Sequence, residues 1–446
     1  MANSSNRSDK KVIHMDALNG SSFLYRSWLG KTLIDRFKPF MDYTNLMRLN
    51  GVYPFGRTML TKVGNIVKVG NTHADEELEC INFGSQDYLG LSQHDDVIKA
   101  AKDAIDSFGL HSAGSPVLSG RNRIFNNLER KIAKHVGADQ SMLYISGWSA
   151  CFGAVAGLIS YKDAIVMDMF VHNSLDVGAK YATEKVYKFK HNNLEDLEKK
   201  LAFCRKDNDT NGLFIIIESL YSMNSDSPDL NTVLTLAEKY DAIVMLDMAH
   251  DFGSDGVNGR GLLNTIDYNS VKDRLIVLGT FSKNFGTTGG FVAGPSIIRT
   301  QLEIFSPTFT FTNSLTPIQC SIASKCMDIV FSEEGQALRS TLLQKVNFAI
   351  AEFNKRGFVT KGLPSAIIPV LIGDSRLARI LARETNVRGL VTNLVEFPAV
   401  AKDASILRFQ MMATMDEVNI VKAADILLES IQESQTILLD SQMNDL

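Results

Sequence analysis

The sequence lacks the features that mark secreted, zinc-binding and membrane-spanning proteins. Its five cysteines form no CxxC pair, and their odd number argues against a disulfide framework. No uninterrupted apolar run approaches 18 residues, and no apolar segment follows the polar start, so we expect neither a membrane span nor a signal peptide. These absences predict a soluble protein of the reducing cytoplasm.

Other motifs that are missing exclude further classes. The formal net charge of −4 gives no overall attraction to nucleic acid or to an anionic membrane. The chain contains no glycine fingerprint for a dinucleotide, no Walker A motif, and no H-E-x-x-H or paired-carboxylate run that would bind a divalent metal. We therefore expect no nucleic-acid partner, no nicotinamide cofactor and no bound metal.

Apolar runs typical of strands alternate with helical segments from about residue 96 onward. Continuous apolar strands separated by helices predict a mostly parallel sheet that is buried on both faces. The strand candidates are SMLYIS, AIVMDM, GLFIIIE, AIVMLD, RLIVLGT and GGFVAG.

The pattern divides the chain into three parts. They are an N-terminal extension (1–80), a large α/β domain (81–335) and a smaller C-terminal α+β domain (336–446). Residues 23–49 mix aromatic, apolar and basic side chains at roughly helical spacing, which indicates a helix that packs on the body of the protein or on a partner subunit. Contact with a membrane surface or an acyl carrier is the alternative. Thr414 and Glu417 match a capping box before an apolar run.

Residues with useful chemistry follow several strand candidates, at the sheet edge where open α/β folds bind ligands. Lys283 comes after RLIVLGT, and a lysine there is either a paired charge or an amine that forms a Schiff base. Asp247 ends AIVMLD and could be a helix cap, a metal ligand or a partner for a ring nitrogen. The turn at Gly147 and Trp148 opens a helix whose N–H groups can bind phosphate.

Other polar residues are ordinary when each is taken alone. His172, His250 and Ser222 could cap or pack, and Arg408 could be a solvated residue in its apolar strand. Taken together, the set meets the needs of pyridoxal phosphate. The phosphate needs N–H donors, the pyridine nitrogen a carboxylate, the aldehyde a lysine, and an amino-acid substrate an arginine.

The lysine segment GTFSKNFGTTGGFVAG resembles that of the α-oxoamine synthases, most of all the serine palmitoyltransferase branch. Eight further segments resemble the family's motifs in the same order, from about residue 81 to about 430. They are NFGSQDYLGLSQH, SFGLHSAGSPVLSGRNRIFNNLE, SGWSACFGAV, FVHNSL, FKHNNLEDLEKKL, IESLYSMNSDSPDL, LDMAHDFGSDGVNGRG and ILRFQMMATMD.

The resemblance implies a PLP-dependent transferase of fold type I, with pyridoxal phosphate as cofactor and a homodimer that shares its active sites. It implies that Lys283 forms the Schiff base and moves the α-proton, that Asp247 pairs with the pyridine nitrogen, and that His172 stacks on the cofactor ring. The resemblance also implies that His250 and Ser222 contact the ring hydroxyl. The phosphate would contact Thr280, Gly147 and Trp148, together with Thr312 of a neighbouring subunit. Arg408 and Gln86 would contact the substrate carboxylate.

The implied reaction is a decarboxylating Claisen-type condensation of serine, alanine or glycine with an acyl thioester, carried by coenzyme A or a carrier protein, to give an α-amino ketone. Departures from the family pattern at Gln86, Asn173, Asn224-Ser225 and Met248 leave the amino acid open. One alternative is another fold-type-I enzyme such as an aminotransferase. A second is a non-catalytic regulatory subunit of a heterodimeric synthase, which we would expect to lack the lysine.

Overall fold

The computed structural model describes residues 12–21, 29–71, 74–206 and 211–444. The chain forms two compact units. The first unit comprises Met1–Ser85, Met223–Ser225 and Leu342–Leu446, and the second comprises Gln86–Ser222 and Asp226–Thr341. The three-part domain division inferred from the sequence stays a prediction.

The secondary structure alternates helices and strands along most of the chain. The helices are α1 (Met15–Asn19), α2 (Leu33–Leu49), α3 (Asp95–Phe108), α4 (Arg123–Val136), α5 (Gly147–Leu158), α6 (Asn173–Ala182), α7 (Leu194–Lys206), α8 (Leu230–Lys239), α9 (Tyr268–Val271), α10 (Ile297–Phe305), α11 (Pro307–Thr310), α12 (Pro317–Val330), α13 (Glu333–Lys355), α14 (Ser375–Val387) and α15 (Glu417–Met443). The strands are β1 (Thr58–Met59), β2 (Ile66–Asn71), β3 (Ala74–Asn82), β4 (Gln140–Tyr144), β5 (Ala164–Asp168), β6 (Val186–Phe189), β7 (Leu213–Glu218), β8 (Ile243–Asp247), β9 (Leu275–Thr280), β10 (Gly290–Gly294), β11 (Ile367–Gly373), β12 (Leu390–Val391), β13 (Asn393–Val395) and β14 (Ser405–Gln410).

The second unit is built on one mixed sheet with the strand order β4-β10-β9-β8-β7-β5-β6. The strands from β6 to β9 pair in parallel, while β10 runs antiparallel to both β9 and β4. Strands β5, β7, β9 and β10 are buried along their whole length, which explains their continuous apolar sequences. The predicted, mostly parallel sheet is confirmed. Strand β6 was not among the strand candidates.

Strand parity sets which polar residues reach the same side of this sheet. Phe214 and Ile216 of β7, together with Met245 of β8, pack in one apolar cluster with residues of α5 and α6. Successive side chains of a strand point to opposite faces, so a residue two positions after a member of this cluster lies on the same face as the cluster. The last residues of β7, β8 and β9 lie on this face, and they are Glu218, Asp247 and Thr280.

The first unit contains two smaller sheets, with the orders β1-β2-β3-β12 and β11-β14-β13. Its apolar cluster joins the N-terminal segment to C-terminal helices, since Met15 and Met47 are buried with Ile380 and Ile437. Within α2 the predicted helix is confirmed over Leu33–Leu49, and its second half packs in this cluster.

The first half of α2 is exposed, with large apolar side chains at Leu33, Ile34 and Phe37. Residues 23–28 of the predicted helix lie outside the described residues, and residues 29–32, which are also part of the predicted helix, precede α2. Among the described residues, no helix combines the length and apolar character needed to span a membrane.

The predicted capping box at Thr414 is wrong. Helix α15 begins at Glu417, and the residue at its N-cap position, Asp416, makes no side-chain capping bond. The Thr414 hydroxyl instead donates to Asn65 Oδ1 at 3.2 Å. A tertiary partner, which a local sequence pattern does not reveal, therefore takes the hydroxyl away from the helix end.

A histidine that follows β6 lies between two carboxylates, one at the end of β5 and one in the segment between β7 and α8. His191 Nδ1 lies 2.9 Å from Asp168 Oδ1, and Nε2 lies 2.9 Å from Asp226 Oδ2. Burial of the ring acts to lower its pKa, but the hydrogen bonds and charges of the two carboxylates outweigh this and raise the pKa to about 9. The imidazolium therefore holds Asp226, which follows Ser222 closely in sequence, against the end of β5.

We expect the variant His191→Gln to lower the free energy of unfolding at pH 7 by about 1.5–3 kcal/mol, because two charge-assisted hydrogen bonds are lost. The folded-state pKa is raised, so this stabilisation is complete below about pH 6.5 and is lost as the pH rises through about 9. Denaturant titrations of wild type and variant between pH 6 and 10 measure it. The exposed His111→Gln serves as control, and a wild-type–variant difference that does not change with pH would contradict the ion-pair assignment.

Candidate active site

The lysine that follows β9 belongs to a buried chain of polar contacts. Lys283 Nζ lies 2.9 Å from His250 Nε2, and His250 Nδ1 lies 2.9 Å from the hydroxyl of Tyr88. His250 is almost fully buried and Tyr88 is completely buried. An ammonium at Lys283 can donate to Nε2, in which case Nδ1 carries the ring proton and donates to Tyr88 Oη. The sequence analysis missed Tyr88, although it lies in the motif NFGSQDYLGLSQH.

Asp247 ends β8 beneath this chain and is buried. Its Oδ1 accepts the backbone N–H of Ala249 at 3.0 Å, and its Oδ2 accepts the thiol of Cys151 at 3.5 Å. Burial and the charge of Asp247 raise the pKa of that thiol, so Cys151 acts here as a neutral donor. Sequence reasoning missed Cys151, whose only local signal is its position in the segment SGWSACFGAV.

His172 is held at the start of α6, where it is the N-cap residue. Its Nδ1 lies 2.7 Å from the hydroxyl of Ser174 and accepts the backbone N–H of Ser174 at 3.3 Å. His172 is exposed as a residue, but partial burial of its imidazole lowers the pKa of the ring. This pairing fixes the orientation of a flat ring and leaves its other nitrogen, Nε2, to carry the proton.

The sequence predicts a phosphate-binding turn at the start of α5. Ser146 caps the helix by accepting the N–H of Ser149 at 3.0 Å, and the N–H groups of the first helical turn have no acceptor within the helix. A Cβ added at Gly147 would lie 2.7 Å from the Thr280 side chain, so glycine is needed for β9 and α5 to approach so closely. Trp148, partly exposed, stacks on Phe152.

The remaining predicted residues have separate positions. Ser222 and Gln86 are partly exposed in the second unit, where Ser222 follows β7 by four residues and Gln86 precedes Tyr88 by two. Thr312 lies after α11, and its hydroxyl donates to Thr308 O at 2.9 Å. Arg408 lies on β14 in the first unit, with Nη1 3.9 Å from the sulfur of Met223.

One departure from the family pattern has a structural explanation. Ser225 has a φ of +55°, in the left-handed region that favours glycine. Its hydroxyl donates to Leu363 O at 3.1 Å and lies 2.7 Å from the hydroxyl of Ser365. These hydrogen bonds stabilise a serine in a backbone conformation that favours glycine.

The donor set of the second unit fits pyridoxal phosphate. The glycine-lined helix start beside Thr280 suits a phosphate, the buried carboxylate of Asp247 suits a protonated ring nitrogen, and the amine of Lys283 suits an aldehyde. Among the residues the structure describes, no group of three or more His, Cys, Asp or Glu side chains is placed to hold a metal ion.

The comparisons of this chain with a family model and with known proteins agree on one family. Residues 79–427 match the model of the family "aminotransferase class I and II". The chain is 30% identical to a serine palmitoyltransferase of Bacteroides thetaiotaomicron over 391 residues, which covers 88% of this chain and 96% of that protein. It is 33% identical to a 2-amino-3-ketobutyrate coenzyme A ligase of Escherichia coli K12 over 347 residues, which covers 77% of this chain and 86% of that protein.

Solved structures agree on the fold. A serine palmitoyltransferase of Sphingomonas wittichii superposes with a TM-score of 0.82 at 25% identity and covers 91% of this chain and 99% of its own. A serine palmitoyltransferase solved with its PLP internal aldimine gives a TM-score of 0.82 at 24% identity, covering 91% of this chain and all of its own. The fold is therefore that of the fold-type-I PLP-dependent transferases, as the sequence predicted. The chain belongs to the aminotransferase class I and II family and, within it, to the α-oxoamine synthases, which are pyridoxal-phosphate-dependent acyltransferases.

Proposed function

We propose that this protein condenses a small L-amino acid with an acyl thioester, with loss of CO₂ and of the thiol, to give an α-amino ketone. The amino acid is serine, alanine or glycine, and the thioester is carried by coenzyme A or by a carrier protein. The observation that carries the proposal is the lysine amine held 2.9 Å from a buried histidine, in the same unit as the buried Asp247 at the end of β8.

Pyridoxal phosphate, when bound, draws electrons away from the α-carbon of the amino acid. We propose that Asp247 would hold the ring nitrogen in its protonated form and that His172 would contact the ring. The α5 N–H groups at Gly147 and Trp148 bind the phosphate, together with Thr280. His250 and Ser222 bind the ring hydroxyl.

Lys283 moves the proton of the α-carbon in this proposal. Before the cofactor is bound, its amine lies 2.9 Å from His250 Nε2, which can take up the proton that the lysine loses. In the tautomer that carries the proton on Nδ1, this nitrogen donates to Tyr88 Oη, 2.9 Å away, and Nε2 is the nitrogen that faces Lys283 as an acceptor. Arg408 and Gln86 bind the carboxylate of the amino acid.

The test is a turnover assay of the purified holoenzyme with carboxyl-labelled serine, alanine or glycine and a long-chain acyl-CoA. We expect labelled CO₂ and free thiol in equal amounts, with one amino acid strongly preferred. Thiol release without CO₂, or keto-acid formation without thiol, would indicate an aminotransferase or another fold-type-I activity instead. Absence of both cofactor uptake and turnover would favour the regulatory-subunit alternative.

Replacing Lys283 by Ala should lower turnover by roughly 100- to 10,000-fold, because the group that moves the α-proton is lost. Borohydride reduction of the loaded wild type should attach the cofactor to the peptide that contains Lys283. The variant Lys102→Ala, at an exposed position, is the matched control. It should keep wild-type turnover and the attachment of the cofactor after reduction. Wild-type turnover in Lys283→Ala would rule out the proposed role.

The variant Arg408→Lys should raise the KM for the amino acid about 10- to 100-fold, because a lysine keeps the charge but lacks the planar fork that binds a carboxylate with two hydrogen bonds. Steady-state kinetics with the amino acid and the thioester varied in turn measure the effect. The KM for the thioester should stay within a few-fold of wild type. An equal change in both KM values would contradict a specific carboxylate contact.

We propose further that the protein is a homodimer whose two subunits complete each other's sites. Leu118 and Phe311 expose 83% and 85% of their surface. Their loops are joined, since the Ser115 hydroxyl donates to Thr310 O at 2.8 Å and the Ser314 N–H donates to Gly114 O at 2.9 Å. Two linked loops with large exposed apolar side chains support an interface here, next to Thr312.

Light scattering should therefore give the mass of two chains, and Leu118→Glu should give one. Mixing subunits of Lys283→Ala with subunits of Thr312→Glu should restore activity, because one site of each mixed dimer then has both intact residues. A mixture of Lys283→Ala with Arg408→Ala is the control. It separates an effect of mixing any two variants from the effect of an intact Thr312 supplied by the other subunit. Full activity at the mass of one chain would contradict the shared site.

We also propose a cytoplasmic location. All five cysteines are free, and four of them are buried. Unpaired thiols are typical of a reducing compartment.

A further inference from the structure

Glu218 is a buried carboxyl group of the site to which the proposed function gives no role. It is the last residue of β7 and is paired in register with Asp247, the last residue of β8. Parallel strands lie about 4.8 Å apart and residues in register point to the same face, so the two carboxyl groups are neighbours. Glu218 is 3% exposed.

The surroundings of Glu218 disfavour a negative charge. Among the described residues, its Oε1 is a buried oxygen without a hydrogen-bond partner. Burial raises the pKa of Glu218 well above its usual range, and the charge of Asp247 raises it further, while Lys283 and the backbone amide of His172 act in the opposite direction. The titratable groups that face it are Asp247, Lys283, Asp168, Cys151 and Tyr221.

We propose that Glu218 is a positioning residue that carries a proton in the folded protein, so that Asp247 alone is negatively charged at the ends of β7 and β8. This inference rests on the proposed function, because it concerns the carboxylate assigned to the ring nitrogen. Two ionised carboxyl groups so close together and away from water would repel each other. With Glu218 neutral, the single charge of Asp247 matches the single proton of the ring nitrogen.

The protonation state has a consequence for the stability of the apoenzyme. A glutamate in the unfolded chain has a pKa of about 4.3. Above that pH the folded protein retains a proton at Glu218 that the unfolded chain has lost, so the stability contributed by the neutral acid decreases as the pH rises. A glutamine at this position has the same shape and no proton to lose.

The experiment compares the unfolding equilibrium constants of wild-type and Glu218→Gln apoenzyme between pH 5 and pH 8. We expect the ratio of wild type to variant to increase with pH by up to about tenfold for each pH unit. The exposed Glu238→Gln is the matched control and should show no such trend over this range. A ratio for Glu218→Gln that is independent of pH would overturn the proposal.

A second measurement does not depend on the variant folding. Infrared spectra of the wild-type apoenzyme at pH 8 should retain the carbonyl band of a protonated carboxyl group, and labelling of glutamate with ¹³C should shift that band. Absence of a glutamate-dependent band would overturn the proposal. Burial raises the pKa of Asp251 to about 7, but glutamate labelling does not shift an aspartate band.

The loaded enzyme gives a separate readout. Glu218→Gln should keep cofactor affinity and turnover within a few-fold of wild type, whereas Glu218→Ala, which leaves a cavity beside Asp247, should weaken cofactor binding at least tenfold. A Glu218→Gln variant that loses the cofactor would contradict a neutral residue at this position. If wild type itself lacks the condensation activity, the proposed function fails while the stability and infrared results still decide the protonation of Glu218.

Discussion

The register of the parallel strands β7, β8 and β9 is the constraint on which the site depends. Each strand ends with a polar residue on the face that α5 and α6 cover, and the register brings Glu218 opposite Asp247. A shift of one residue in any strand would turn its last side chain to the other face. The apolar residues further back along each strand prevent such a shift, because they are buried in one cluster. Packing of the apolar residues in the sheet therefore also aligns the polar side chains at the strand ends.

Charge in this small region is balanced by burial and by hydrogen bonds to neighbouring side chains. Lys283 acts to lower the pKa of the buried Glu218, and its Nζ lies 2.9 Å from His250 Nε2. On the other side of β7, His191 lies between two carboxylates, and its raised pKa of about 9 keeps it positive at neutral pH. The protonation state of each titratable group depends on the groups around it, so replacing one side chain changes the protonation of its neighbours.

Much of this arrangement could be predicted from local sequence. Helix α3 coincides with the segment DDVIKAAKDAIDSF, whose apolar residues recur at helical spacing, and α4 ends before Gly137, which has a φ of +90°. What could not be predicted depends on distant partners. Cys151 bonds to a residue 96 positions away, Tyr88 to one 162 positions away, and Thr414 to Asn65 rather than to its own helix. Nothing in a local window distinguishes such side chains from ordinary core or cap residues.

The sequence by itself determined the family and six of the seven strands of the large sheet. It also determined the positions of Lys283, Asp247 and His172 relative to their strands, because these features are encoded in short periodic patterns and ordered motifs. Only the tertiary structure decided which side chains become neighbours and therefore which of them hold protons. The pKa of a carboxyl group such as Glu218 depends on burial and on charges brought from other strands. These exist only once the sheet has formed.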